Sequence, residues 1–285
     1  MSLRVTALAG SALVQDRGRP GRTGLGVTPS GTFDRNAARQ ANLLVGNPED
    51  AAVLEVVGSV TLHATHAAAV AVTGAPGPID VDGVPRDTGQ VLHLAEGAGL
   101  TLGPATIGVR RVVAVAGGLT PDPVLGSRAT DVLSGLGPPP AAIGTLLPVG
   151  LTGDRTLTTR IETGVLGVGD LTVRIVLGPR DDWFTAAAIG TLLGTGWTVS
   201  PRSDRIGVRL DGPVLERAVT GELESEPVVR GSVQVTSAGL PVVLGPDHPV
   251  TGGYPVIGVV LDADTDLLAH AAPGRVVRFR RHPAP

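Results

Sequence analysis

The sequence predicts a mainly β protein built as two β-barrel-like domains, each with one short helix, and three observations carry that expectation. Glycine (41 residues) and proline (24 residues) punctuate the chain at close intervals. The stretches between them are short runs rich in Val, Leu, Ile and Thr, the residues that suit a pleated, half-buried surface. Two segments depart from this and carry apolar residues at helical spacing, each early in its half of the chain. One helix followed by a series of strands therefore occurs twice, which is the pattern of two small β domains rather than one sandwich.

The elements follow in chain order. The segment 35–45 places Ala37, Ala41, Leu44 and Val45 on one side, with Asp34 positioned to cap its first turn and Gly46 to end its last. Strands are expected after it at 52–57, 60–63, 69–73, 79–81, 91–94, 100–102 and 110–116. In the second half, 182–193 gathers Phe184, Ala188, Ile189, Leu192 and Leu193 ahead of Gly194. Strands are expected there at 172–177, 197–199, 208–210, 232–235, 241–244, 257–261 and 275–280. The stretch 137–160, with a Pro triplet and a Thr-rich tail, reads as the connection, giving domains at 1–140 and 141–285. No short-period repeat appears, against a solenoid or propeller.

Composition narrows the function classes. A chain that is 42% hydrophobic and 17% charged has the make-up of a globular protein. A net charge of −3 supplies no basic footprint for a phosphate backbone, so no nucleic-acid partner is expected. The absence of cysteine removes disulfides, thiolate nucleophiles and cysteine-ligated metals. His63 and His66 are poorly spaced as a ligand pair about a strand end, and no metal site is expected. All 23 basic residues are Arg, and without Lys the chain can form no Walker A phosphate loop, no Schiff base and no covalent link to biotin. Gly, Pro or charged residues break every apolar run before membrane-spanning length, and no leader pattern opens the chain, so no membrane partner and a cytoplasmic location are expected.

Dense polar and glycine segments hold the candidate site residues. GVTPSGTFD (26–34) turns into the first helix, where Ser30 and backbone N–H groups can meet an anion, Asp34 being otherwise simply the cap. LGSRATD (125–131) presents Arg128, and SPRSDRIGVRLDG (200–212) presents Ser203 and Arg205. Arg in such a loop clamps a carboxylate or else pairs with a local Asp to fix the turn. DHPVTGGYP (247–255) joins Thr251, Gly252 and Gly253 to Tyr254, the one tyrosine of the chain, either as a ligand loop or as a hairpin turn with an anchoring ring.

Together these segments resemble the carboxyltransferase-domain family, which includes allophanate hydrolase subunit 2, a subunit of bacterial 5-oxoprolinase, the antagonist of a sporulation-kinase inhibitor and a domain of urea carboxylase. Further stretches carry the resemblance: VAVTGA (70–75), GVRRVVAVAGGL (108–119), LGPRDDWF (177–184) and GSVQV (231–235), the last contributing Gln234. It implies two cyclophilin-like β-barrel domains, an obligate smaller cyclophilin-like partner, ATP used through the complex, and a small amide or lactam substrate. A site lined by Ser203, Arg205, Gln234 and the 251–254 loop is implied with it. Two other activities are compatible with the same family: sequestration of the smaller partner, and biotin-dependent carboxyl transfer to urea. The chain departs from the family pattern at His248, Pro249, Thr236 and Val256, the last replacing a usual Lys. A mean hydropathy of +0.26 agrees with a protein expected to bury surface in a stable hetero-oligomer.

Overall fold

A computed structural model describes residues 1–152, 157–158, 161 and 167–283. The chain divides into two compact units, one of Met1–Arg19 with Ser30–Leu166, the other of Pro20–Pro29 with Gly167–Pro285. The division falls later than 140/141 because residues 146–148 pair with the first strand of the first unit. Residues 153–156 and 159–160 of the expected connection lie outside the described residues.

Among the described residues the first unit is one nine-stranded sheet. Its strands are β1 (Ser2–Gln15), β2 (Val53–Ala64), β3 (Ala68–Gly74), β4 (Ile79–Val81), β5 (Val84–Pro85), β6 (Val91–Leu94), β7 (Gly99–Leu102), β8 (Arg110–Val115) and β9 (Leu146–Pro148). The path runs β5-β4-β7-β2-β8-β3-β6, with β1 joining β2 to β9. The two strands expected at 52–57 and 60–63 are a single strand, β2, and β1 was not expected. Gly10 faces Gly58 across β1 and β2, and a Cβ on either would lie 2.1 Å from the opposite carbonyl oxygen.

The central strands are buried on both faces, and the period of two assigns each residue to one face. Val113 and Val115 join Leu54, Val56, Val70 and Val72 in the larger cluster. Val112 and Ala114 join Val53 and Ala71 on the other face, under helix α1 (Arg35–Leu44). α1 packs Ala37, Ala38, Ala41 and Leu44 there, and Asp34 caps it as expected, accepting from the Ala37 N–H at 2.8 Å. Burial of Leu44, fully inaccessible, is worth about 1.5–3 kcal/mol.

The second unit is a closed seven-stranded barrel. It comprises β10 (Leu171–Leu177), β11 (Trp197–Val199), β12 (Gly207–Asp211), β14 (Ser232–Val235), β15 (Pro241–Leu244), β17 (Val256–Val260) and β18 (Val276–Arg281), with a separate ribbon of β13 (Glu226–Pro227) and β16 (Thr251–Gly252). Closure is made by β18, which runs parallel to β10 and antiparallel to β11. Helix α2 (Ala186–Gly194) packs against β18 and begins later than the expected 182, because Asp181–Trp183 forms a 3-10 turn and Phe184 is extended. Thr185 caps it, and the Trp197 indole N–H donates to the Leu192 carbonyl at 3.0 Å. A short helix, α3 (Asp262–Thr265), follows β17. The expectation of a mainly β chain with two β-barrel-like units, each bearing a short helix, is met by a curled half-barrel sheet in the first unit and a closed barrel in the second, which carries α3 besides α2. Among the described residues no helix is long and apolar enough to cross a membrane.

Candidate functional site

The site residues fall into two groups, one in each unit. In the second unit the β14 strand presents Gln234, whose Nε2 donates to the Tyr254 carbonyl at 3.1 Å. Gly252 makes that approach possible, since a Cβ there would lie 2.4 Å from Gln234 Nε2. Neither Gly252 nor Gly253 has a positive φ, so the pair is not a conformational requirement, and only Gly252 is hemmed in. Tyr254 is 44% exposed, and among the described residues neither its hydroxyl nor Gln234 Oε1 has a partner. An acceptor oxygen and a hydroxyl that both donates and accepts are the groups that complement a neutral amide.

An ion pair that the sequence did not single out braces this loop. Glu226 pairs across the β13–β16 ribbon with Gly252, and its carboxylate accepts two bonds from Arg180 Nε at 3.0 Å and a third from Nη2. The Arg180 backbone N–H in turn donates to the Val256 carbonyl at 2.9 Å. The hydrogen bonds and charge of Arg180 hold the Glu226 carboxyl below its usual range. Arg180 lies in LGPRDDWF, a stretch that carried the resemblance; nothing in the sequence marked Glu226. Val256 itself packs with Val228 and Leu244 in a small apolar cluster, so the position of the family's usual Lys is spent on packing.

Arg205 and Asp247 form a buried bidentate pair, Nε to Oδ2 and Nη2 to Oδ1 both at 2.9 Å, with Arg205 5% and Asp247 0% exposed. The sequence offered a local Asp as the alternative to a ligand; the partner lies 42 residues on. Ser203 accepts from the Arg209 N–H and donates to the Arg209 carbonyl, and among the described residues it has no hydrogen bond to Gln234 or the Tyr254 loop. His248 is buried beside Asp247, and Thr251 is exposed.

In the first unit Ser30 adopts φ 55° and its hydroxyl reaches the Thr130 carbonyl at 3.4 Å. The helix end offered to an anion is held by the chain's own carboxylates. Asp34 takes the Ala37 N–H, while buried Glu55 takes the Phe33 N–H at 2.8 Å and pairs with Arg110, which lies 4.3 Å over the Phe33 ring. Arg128, whose backbone N–H is bonded to Asp16, lines a cleft of the same unit. Among the described residues no three His, Asp or Glu side chains gather as metal ligands.

Comparison with known proteins gives these residues a setting. The carboxyltransferase domain family, subdomains A and B, matches residues 25–281. A 5-oxoprolinase subunit of Escherichia coli (strain K12) is 35% identical over 274 residues, covering 93% of this chain and 86% of that protein. The urea amidolyase of Saccharomyces cerevisiae is 26% identical, with 98% of this chain matching 16% of that protein. The crystal structure of TTHA0988 superposes with a TM-score of 0.90 at 33% identity, spanning 98% of this chain and 55% of that one. The Kluyveromyces lactis urea carboxylase shares the fold at a TM-score of 0.92 and 24% identity, over 99% of this chain and 27% of that one. A family match over nearly the whole length, on two β-built units whose polar loops sit where the sequence motifs fall, makes this chain a member of the carboxyltransferase-domain family.

Proposed function

We propose that the chain is the larger member of a two-subunit, ATP-using complex of the 5-oxoprolinase type that hydrolyses a small amide or lactam. The observation that carries this is the 35% identity to a 5-oxoprolinase subunit across 93% of the chain, at nearly matching length. The Gln234–Tyr254 arrangement supports it by offering hydrogen-bonding partners to a neutral amide. A smaller cyclophilin-like protein is the proposed partner and the cytoplasm the proposed location. ATP is used through the complex, to which this chain, having no Lys, contributes no phosphate loop of the Walker type.

The urea amidolyase and urea carboxylase relatives, matched over 97–98% of this chain, favour a second reading, carboxyl transfer from biotin to urea. Biotin would then ride on another protein, since no Lys is present to carry it. One experiment separates the readings: phosphate release from ATP by the chain co-purified with its smaller partner. Stimulation by 5-oxoproline, absent from either protein alone, is expected. Stimulation by urea only when a biotin carboxylase and carrier are added would favour carboxyl transfer. A tight, inert pair would instead assign the chain to sequestration of its partner.

A further inference from the structure

In the first unit a cleft of about 310 Å³ opens beside the loop 125–128, at the lower end of ligand-pocket sizes. Its walls include Asp16, Arg17, Asp50, Gly117, Gly118 and Arg128. We infer that this cleft is a recognition subsite for a small organic carboxylate, with the Arg128 guanidinium as the group that takes it.

Arg128 follows a tightly held turn. Val124 and Ser127 exchange backbone hydrogen bonds at 2.8 and 3.2 Å around Leu125 and Gly126, whose φ values are 52° and 86°. This is a tight primed turn, and a leucine in its left-handed position is an uncommon conformation for a branched side chain. The Asp16 carboxylate locks the turn. It accepts from the Ser127 hydroxyl at 2.6 Å, the Gly18 N–H at 2.7 Å and the Arg128 N–H at 2.7 Å. Asp16 therefore fixes the backbone of Arg128 without bonding its side chain.

Among the described residues the guanidinium itself finds no hydrogen bond or ion pair, and its Nε is buried without a partner. A buried donor of this kind is costly unless something outside the chain satisfies it. The other charges of the cleft are engaged: Asp16 as described, and Arg17 with Asp50 at 3.6 Å on the exposed rim. The four formal charges sum to zero, so the cleft exerts no net pull on polyanions. What it offers is an open planar fork of N–H donors, which matches a single carboxylate. Gly117 in the wall admits no side chain, since a Cβ there would lie 2.3 Å from the Gly150 carbonyl oxygen.

That the natural ligand is a lactam acid rests on the amide-hydrolase reading above; the subsite does not. The test is calorimetric titration of the full chain with 5-oxoproline, with 2-pyrrolidinone (the same ring lacking the carboxylate), with glutarate and with inorganic phosphate. Carboxylates are expected to bind, and pyrrolidinone and phosphate at least about tenfold more weakly. Arg128→Gln should weaken carboxylate binding about tenfold to a hundredfold, in line with loss of charge-assisted bonds. It should leave pyrrolidinone binding and the melting temperature unchanged, and Arg128→Lys should recover part of the loss. Equal carboxylate binding by wild type and Arg128→Gln, preference for phosphate, or no carboxylate binding at all would overturn the inference. Glutarate bound through Arg128 with 5-oxoproline ignored would keep the subsite and sink the lactam reading. Arg128-independent binding of 5-oxoproline would do the reverse.

Discussion

Gly252 is the residue on which the Tyr254 loop turns. Its importance is contact rather than backbone freedom, because its φ is ordinary and its missing Cβ leaves space for Gln234 Nε2. Gly252→Ala should therefore fold, displace the flexible Gln234 amide and cost about 0.5–1.5 kcal/mol, the worth of one hydrogen bond between neutral groups. Tyr254→Phe should leave stability untouched, since the hydroxyl bonds nothing among the described residues. If that hydroxyl meets substrate, turnover by the complex should fall about threefold to tenfold. Denaturation curves and turnover on the two variants check both statements; a destabilised Tyr254→Phe would show a structural anchor instead. The sequence pointed to this loop through its lone tyrosine and paired glycines. It could not say which glycine matters, because that depends on Gln234, which stands on another strand, β14.

At the scale of elements, the Arg205–Asp247 pair joins the loop before β12 to the loop after β15 in a buried fork. Asp247→Ala would remove the bidentate partner of a buried guanidinium and should cost about 3–5 kcal/mol by urea denaturation. Arg205→Met with Asp247→Leu should recover much of that loss, because an apolar pair leaves no charge uncompensated. A single variant as stable as wild type would mean that solvent reaches the pair. Arg205 was legible as a polar loop residue, but its partner was not, since pairing over such separation is set by barrel topology. Most strands and α1 were legible from period and caps. β1 was missed because LRVTALAGSALVQ is dominated by Ala, Leu, Gly and Ser, and half of its outer stretch is exposed. Its strand state comes from long pairing with β2 rather than from its own composition.

For the whole molecule, two ion pairs of the second unit should contribute to acid sensitivity. Arg174 hydrogen-bonds Asp264 through Nε at 2.9 Å and its backbone N–H at 2.7 Å, and this bonding holds the Asp264 carboxyl below its usual range, as Arg180 does for Glu226. Because both folded-state values are lowered, their stabilisation is fully present above the ordinary carboxylate pKa near about 4. It is lost as pH falls through the lowered values. Melting temperature should therefore drop below about pH 4 with proton uptake on unfolding, and Asp264→Asn should reduce that uptake by up to about one proton. An unchanged pH slope in the variant would remove this pair from the account. The closure of the barrel carries one more consequence. The strand that seals it, β18, is the latest of the seven in sequence, yet it separates β10 from β11. During translation the second unit must wait as an open sheet with two unpaired margins until residue 281 emerges. A message cut short before the codons of β18 would thus release nearly all of the barrel with two sticky seams, a better seed for misassembly than for a working enzyme.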